Sequence, residues 1–469
     1  MLKDIDPKSV VQMLELFRNK DFQTVFSAEF QKKNRDEQEA IIGRIRPFVE
    51  ENINPDKIIY TSRDYYYPTV DFLVEQLKKH MGERIISKQT PDGGWLLVDW
   101  NYLRSFDDSS ETEKKLEKYF NKYKDTYNKI YNEKVEDAKE ILVPTYWSNY
   151  LVLLLLNKWK LCIKNNNLFE NGYSLEEIDA TINLGARWLK ENSLGKGNGW
   201  SRGHKDVSVN LNTYDTCMAL IAINYHMSFF KQDNIDEEFF GMEHLEKLIS
   251  DDVRNKNGSW KKEINSDSED TGATSYALQC LMKYYRRGDD NSFKQTITPI
   301  ITDGIAWLIQ NQLNSDESNG GWGESNKLTS NQSSIERTCY ALMALSKYRK
   351  VFTRNQELPN LKNLELSIRR GLDYLVRQKR MYDEYPVGLV WPDDFGNGNR
   401  KSSLRNTSLV MSTFVRCSPL ADNFVMKQGI IGASRSYEKD YDVSSPPKKT
   451  WYNPIYFFCM LADYLKLSM

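Results

Sequence analysis

The sequence predicts an all-α chain folded as an α/α toroid, and three observations predict it. Glycine–tryptophan turns recur at Asp92-Gly93-Gly94-Trp95, Gly199-Trp200, Gly258-Ser259-Trp260, Gly320-Gly321-Trp322-Gly323 and, more loosely, from Gly388 to Trp391. The helical stretches flanking each turn differ in character, amphipathic before it and apolar nearly all round after it. Strand-like alternation of apolar and polar residues is almost absent. A helix that is apolar all round is buried, and an amphipathic one lies outside it. Alternating the two builds an inner ring of helices around a central cavity, wrapped by an outer ring.

The first 170 residues fit this pattern least. They hold one turn, at Trp95, one apolar helix over residues 144–159, and between them a stretch at 107–140 dense in Lys, Glu and Asp. That stretch reads as a solvated helix face or loop. The polar run at 165–173 marks a boundary, dividing an N-terminal helical domain (1–168), which can lend a helix to the barrel, from a barrel domain (169–469). The tryptophans of the turns lie 105, 60, 62 and 69 residues apart, so the repeat is regular from about residue 178 onward. The first outer helix there carries Ile178, Ile182, Gly185, Trp188 and Leu189 at three- and four-residue spacing. Later outer helices repeat a Gly-x-x-aromatic-Leu phrase, Gly304-Ile305-Ala306-Trp307-Leu308 and Gly371-Leu372-Asp373-Tyr374-Leu375. The inner helices, often opened by a Thr, are expected at 214–223, 272–282, 338–345 and 407–415.

Composition narrows the function. Lys plus Arg number 64 and Asp plus Glu 65, a net charge of −1, without the basic excess of a nucleic-acid binder. The longest apolar run, residues 151–156, is far shorter than the ~20 residues of a membrane span. The N-terminus carries early acids and no apolar core, so no secretory leader is expected. The six cysteines, among them Cys162 and Cys217, are scattered without any CxxC spacing. A reduced, cytoplasmic protein without stable membrane insertion is expected, and a homodimer stays open.

Gly304 to Leu308, Gln312 and Gly321-Trp322-Gly323 together resemble the QW motif of squalene–hopene cyclases and bacterial class II diterpene cyclases. The following Ile335-Glu336-Arg337-Thr338-Cys339-Tyr340-Ala341-Leu342 resembles the inner helix after that motif. Residues 185–200 and 371–378 are weaker copies; the resemblance covers about 175–467, with an echo at 73–95. It implies an α/α-barrel β domain accompanied by an N-terminal γ-like helical domain.

The resemblance also implies a chemistry. Class II cyclases protonate an alkene or epoxide with a D-x-D-D motif at the head of an inner helix. Clustered, buried carboxyls cannot all ionise, so one keeps its proton near neutral pH. The resulting carbocation needs an aromatic-lined chamber that excludes water. The strict D-x-D-D pattern is absent here. Two segments compete for its place. Asp267-Ser268-Glu269-Asp270-Thr271 keeps three acids and is favoured, with Glu269 as general acid and Asp267 and Asp270 as its partners. Asn212-Thr213-Tyr214-Asp215-Thr216 sits closer to the family spacing from Trp200 but retains only Asp215. Helix capping accounts for the same acids without chemistry.

Arg202, His204 and Lys205 are candidates to hold a substrate diphosphate, and Trp147, Tyr214, Tyr276, Tyr340 and Phe414 to line the chamber. Glu336-Arg337 reads as a local ion pair or cap at a helix head. Mg²⁺ is expected only as a companion of the diphosphate; Glu136, Asp137 and Glu140 are a weak alternative ligand set, and no resident metal is expected. The pair Asp393-Asp394 follows a Pro in a Gly/Asn-rich loop and reads as a turn, not a diphosphate-ionising motif, so the diphosphate is expected to be retained.

The leading expectation is protonation-initiated cyclisation of a linear isoprenoid, a C15 or C20 diphosphate rather than squalene. Two alternatives stand beside it: a non-catalytic isoprenoid-binding toroid, and a carbohydrate-active toroid using paired carboxylates and aromatic platforms. A zinc prenyltransferase needs thiolate and imidazole together, and none of His80, His204, His226 and His244 is phased with a cysteine on an inner helix.

Overall fold

The computed structural model describes Glu37 and residues 85–99, 110–131, 142–165, 174–195, 197–206, 208, 210–227, 239–264, 266, 268–287, 291–314, 319–325, 332–352, 361–381, 389–392, 403–418, 420–421, 423–440 and 452–468. These residues form twelve α-helices: α1 Ser110–Tyr131, α2 Tyr146–Asn165, α3 Leu175–Glu191, α4 Thr213–Met227, α5 Phe239–Ile249, α6 Thr271–Arg287, α7 Asn291–Gln310, α8 Ile335–Phe352, α9 Leu361–Gln378, α10 Leu404–Cys417, α11 Asn423–Asp440 and α12 Tyr452–Ser468. The described strands are four of two residues, β1 Val98–Asp99 paired with β2 Leu142–Val143 and β3 Arg380–Met381 paired with β4 Leu389–Val390, both antiparallel.

The even-numbered helices are the inner ring. Each packs on the next, α2 through α12, and α12 returns against α2. The odd-numbered helices α3, α5, α7, α9 and α11 lie outside, each against an inner neighbour. Thus α2, drawn from residues 1–168, stands in the barrel. The seam is tied where Lys158 of α2 meets Asp463 of α12 at 2.7 Å.

Burial explains the layering. On α8 every residue from Thr338 to Ser346 is buried, as an inner helix requires. On α9 burial is confined to Leu364, Ser367, Ile368, Gly371, Leu372, Tyr374 and Leu375, one stripe at helical spacing. α3 opens with a capping box, Ser174 and Glu177 bonding each other's backbone amides, which fixes its first residue.

The glycine–tryptophan turns lock the layers together. Trp200, Trp260, Trp322 and Trp391 donate their indole N–H to the carbonyls of Leu189, Leu248, Leu308 and Leu375, near the end of the preceding outer helix, at 2.7–2.9 Å. Their backbone amides donate to Thr216, Thr274, Thr338 and Thr407 near the start of the following inner helix, at 2.9–3.0 Å. Trp95 makes the same pair of bonds to Ile85 and to Asn149 on α2. The far edge of an indole then presses on the next outer helix. A Cβ on Gly304 of α7 would lie 2.9 Å from Trp260, and one on Gly371 of α9 2.9 Å from Trp322. The Gly-x-x-aromatic-Leu phrase is therefore the seat of the neighbouring indole.

No described helix is long and apolar enough to cross a membrane. Cys217, Cys280, Cys339, Cys417 and Cys459 are free thiols, buried in the inner ring.

Candidate functional site

A cleft of about 200 Å³ opens where the inner helices begin. α2 contributes Trp147, α4 Tyr214, Asp215 and Met218, α8 Glu336, Arg337 and Tyr340, and α10 Arg405. The connecting segments add Arg202, Asn212 and Lys262. Most of these helix residues fall in the first turn or two, so the positive ends of the helix dipoles face the cleft.

Asp215 lies at the head of α4 and is 8% exposed. Its own amide donates to the capping Asn212 side chain at 3.1 Å. Burial pushes its carboxyl up to about 7; the Gly203 amide and the Arg202 guanidinium pull it down, and Glu263 adds to the rise. Asp215 is therefore an acid that still holds its proton close to neutral pH.

The loop presenting Gly203 and Arg202 is held from beneath. The Tyr146 amide donates to the Gly203 carbonyl at 3.1 Å, and the Lys205 amide donates to the Tyr146 hydroxyl at 2.7 Å. His204 is enclosed by the rings of Tyr119, Tyr146 and Trp188. Burial, then Lys122 and Lys205, keep its imidazole well below the ordinary value, so it stays neutral.

Glu336 is the second carboxyl. Burial would raise it, but the Arg405 and Arg337 guanidiniums and the Tyr340 hydroxyl outweigh burial and hold it below its ordinary value. Tyr340 donates to it at 2.5 Å, and Arg405 is bonded to the same oxygen. A similar arrangement stands beside it. The Tyr214 hydroxyl donates to Asp270, while Arg337 donates to that hydroxyl at 2.5 Å. The Tyr276 ring lies between, 5.6 Å from Tyr214 and 4.9 Å from Tyr340.

Of the residues proposed from sequence, the cleft gathers Asp215, Tyr214, Tyr340, Trp147 and Arg202. Asp270 caps α6, accepting from the Ala273 amide at 2.7 Å while receiving the Tyr214 bond. Glu269 is not part of the cleft lining. It pairs with Lys261 in an extended bridge, so it points opposite to Asp270, and its carboxyl is bonded by Asn257 on the preceding turn. Asp267 lies outside the described residues, as do Glu136, Asp137 and Glu140. Lys205 turns away, its ammonium donating to the Glu191 carbonyl at 2.5 Å. Phe414 is fully buried core, 6.3 Å from the Trp391 ring. Sequence reasoning treated Glu336-Arg337 as a local ion pair or cap, gave Asn212 no role beyond its place in the 212–216 segment, and passed over Met218, Lys262 and Arg405. The available signal was position: Arg405 and Glu336 are each the second residue of an inner helix.

Among the described residues no group of three metal-ligating side chains occurs. The cleft carboxyls do not suit Mg²⁺, since Asp215 holds a proton near pH 7 and Glu336 is bonded to Arg405 and Tyr340.

No family model matches the chain, and no curated protein matches it. Solved structures do. The cellobiose 2-epimerase of Bacillus thermoamylovorans B4167 is 12% identical, with 84% of this chain and 99% of that chain aligned at a TM-score of 0.57. A D-mannose isomerase is 10% identical, with 86% and 100% aligned at 0.58. The ent-copalyl diphosphate synthase of Streptomyces platensis is 12% identical, with 73% and 54% aligned at 0.44. At these identities the likeness establishes the architecture and not a cyclase family: the chain is an α/α toroid.

Proposed function

We propose that the cleft is the catalytic centre of an acid–base enzyme acting on a small, polar, hydroxyl-bearing substrate of the carbohydrate class. The observation that carries this reading is one cleft lined by two carboxyls whose proton affinities are pushed apart, Asp215 up and Glu336 down. Such a split assigns roles. Asp215 delivers its proton to a substrate oxygen, and ionised Glu336 takes up a proton from carbon or water. Trp147 and Tyr340 supply aromatic surface, and Arg337 and Arg405 supply hydrogen-bond donors. The volume of about 200 Å³ falls below the roughly 300–1,000 Å³ of sites for drug-sized ligands, which favours a small substrate. The fold relatives with the higher TM-scores bear the names of sugar epimerases and isomerases, which is compatible with this class.

The test is a panel of small sugars, screened for isomerisation, epimerisation and hydrolysis by the wild type, Asp215→Asn and Glu336→Gln. A conversion lost by roughly 10²-fold or more in kcat in Asp215→Asn supports the reading. Full activity in Asp215→Asn removes Asp215 from the chemistry.

A second reading is protonation-initiated cyclisation of a C15 or C20 diphosphate, with Asp215 as the acid and the diphosphate retained. The Tyr214–Tyr276–Tyr340 ladder favours it, because aromatic faces stabilise carbocations. Against it, four cationic side chains and a small volume make a poor polyene chamber. A cyclic product from farnesyl or geranylgeranyl diphosphate, still bearing its diphosphate and lost in Asp215→Asn, would establish it.

A further inference from the structure

His204 does not line the cleft, yet it is fully buried with both ring nitrogens committed. The Asp206 amide donates to Nδ1 at 3.2 Å, so Nδ1 carries no proton. The Asn192 side-chain nitrogen donates to the Trp188 carbonyl at 2.8 Å, which turns its oxygen toward the imidazole. The Nε2–H of His204 therefore donates to Asn192 Oδ1, at 3.0 Å. Asn192 caps the end of α3, and Tyr146 of α2 donates its hydroxyl to the Asn192 carbonyl at 2.5 Å. The Tyr119 ring of α1 closes another side, 4.5 Å from the imidazole. One side chain thus fastens its loop to three helices. Among the described residues, the charged groups facing it are Lys122 of α1 and Lys205 and Asp206 of its own loop.

What this loop delivers to the acid is a backbone amide. The His204 amide donates to the Arg202 carbonyl at 3.0 Å, closing a three-residue turn centred on Gly203. Gly203 has a φ of +76°, a conformation that favours glycine. The turn sends the Gly203 carbonyl to the Tyr146 amide at 3.1 Å and the Gly203 N–H to the Asp215 carboxyl. An amide N–H only donates, and a neutral carboxyl offers one carbonyl oxygen and one hydroxyl. The bond therefore falls on the carbonyl oxygen. Once the proton has left, the same N–H donates to a carboxylate, a stronger, charge-assisted bond.

We propose that His204 is a positioning residue for the acid: its two ring bonds hold the turn so that the Gly203 amide occupies one oxygen of Asp215 and leaves the proton on the other, toward the cleft. This deepens the acid–base reading and rests on it. The turn aims the proton and then steadies the carboxylate that its departure leaves behind.

The test compares the purified full-length wild type with His204→Phe, His204→Gln and a protein carrying glycolic acid in place of Gly203. Phe keeps a ring among Tyr119, Tyr146 and Trp188 but has no nitrogen, and Gln restores a donor for Asn192. Glycolic acid turns the Arg202–Gly203 amide into an ester and deletes only the N–H. The Asp215 carboxyl is titrated by NMR in isotope-labelled aspartate, its resonance identified by its loss in Asp215→Asn. The groups that face it, Arg202, Glu263, Tyr146 and Cys217, are the same in every variant. His204→Phe and the ester should both titrate above the native value of about 7, by roughly 0.5–1 pH unit, and His204→Gln should return toward wild type. On the sugar that the wild type converts, His204→Phe should lower kcat about tenfold with KM nearly unchanged. Gly371→Ala, which crowds the outer helix α9, should leave the Asp215 titration in place. Circular-dichroism melts confirm that each variant is folded; should His204→Phe not fold, the ester decides. A titration unmoved in the folded variants overturns the proposal. So does a fall toward 3.8, which would mean that the loop serves only to keep water out. Asp215-dependent conversion with kcat unchanged in His204→Phe also overturns it, while leaving the acid–base reading standing. A rise in both variants with no Asp215-dependent conversion of any sugar leaves the positioned carboxyl and removes the acid–base reading.

Discussion

Arg337 of α8 reaches the hydroxyl of Tyr214 on α4 at 2.5 Å, across the head of the intervening α6, whose capping Asp270 accepts the hydroxyl's proton-side bond. Three inner helices are pinned at one point by residues 123 positions apart. Tyr214→Phe leaves both a carboxylate and a guanidinium short of a partner in a largely buried place. It is expected to lower unfolding free energy by about 1–3 kcal/mol in urea titrations. A neutral result would show that water replaces the hydroxyl at no cost.

The Asp215 carboxyl gives a pH signature. Its native value, about 7, stands above the ordinary 3.8. Between those values the native state holds a proton that the unfolded chain has released, so stability falls as pH rises through this window. The stabilising contribution is complete below about 3.8 and lost above about 7. The groups facing Asp215 are Arg202 and Glu263 from the loops, Tyr146 from α2 and Cys217 from its own helix. Wild type should gain roughly 1–4 kcal/mol over Asp215→Asn on going from pH 8 to pH 5, read from paired denaturation curves. Parallel pH dependences would show a carboxyl that titrates normally.

The tryptophan locks predict a set of equivalent losses. Thr338→Val removes the oxygen that accepts the buried Trp322 amide while keeping the side-chain shape. About 1–3 kcal/mol should be lost, and Thr338→Ser should recover most of it. Thr274→Val and Thr407→Val should behave alike, since each makes the same bond at 2.9 Å. Unequal losses would mean that the repeats are not energetically equivalent.

Gly304→Ala and Gly371→Ala test the indole seats. Each added methyl lies 2.8 Å from a leucine methyl and 2.9 Å from a buried indole, with no flexible tip to yield. Overpacking of this kind costs about 1–3 kcal/mol, and melting temperatures should fall accordingly. An unchanged melt would show that the outer helices slide outward freely.

The fold was legible because its signals are local. A glycine turn ending in Trp, a stripe on one helix and an apolar neighbour all lie within some 40 residues, and their periods survive without knowledge of the partner. The site was legible only in part. Asp215 and Glu336 lie on inner helices separated by α6 and share the cleft only when α4 and α8 stand in the ring together. Counting acids favoured the D-x-E-D-T segment. In the fold Glu269 bridges Lys261, is bonded by Asn257 and does not line the cleft. What distinguishes Asp215 is enclosure by the Arg202 loop, which depends on Tyr146 and the buried His204. Arg405 and Lys262 carry no motif at all.

The seam between α2 and α12 sets an order on how the molecule comes together. The other main packings around the inner ring join successive inner helices, but here Lys158 reaches the carbonyl of Cys459, 301 positions away. Neighbouring hairpins can assemble as the chain grows, because their contacts lie far closer in sequence than those of the seam. Without α12 the described ring would be open, leaving one apolar edge on α2 and another on α10. α12 packs on both helices and so covers both edges at once.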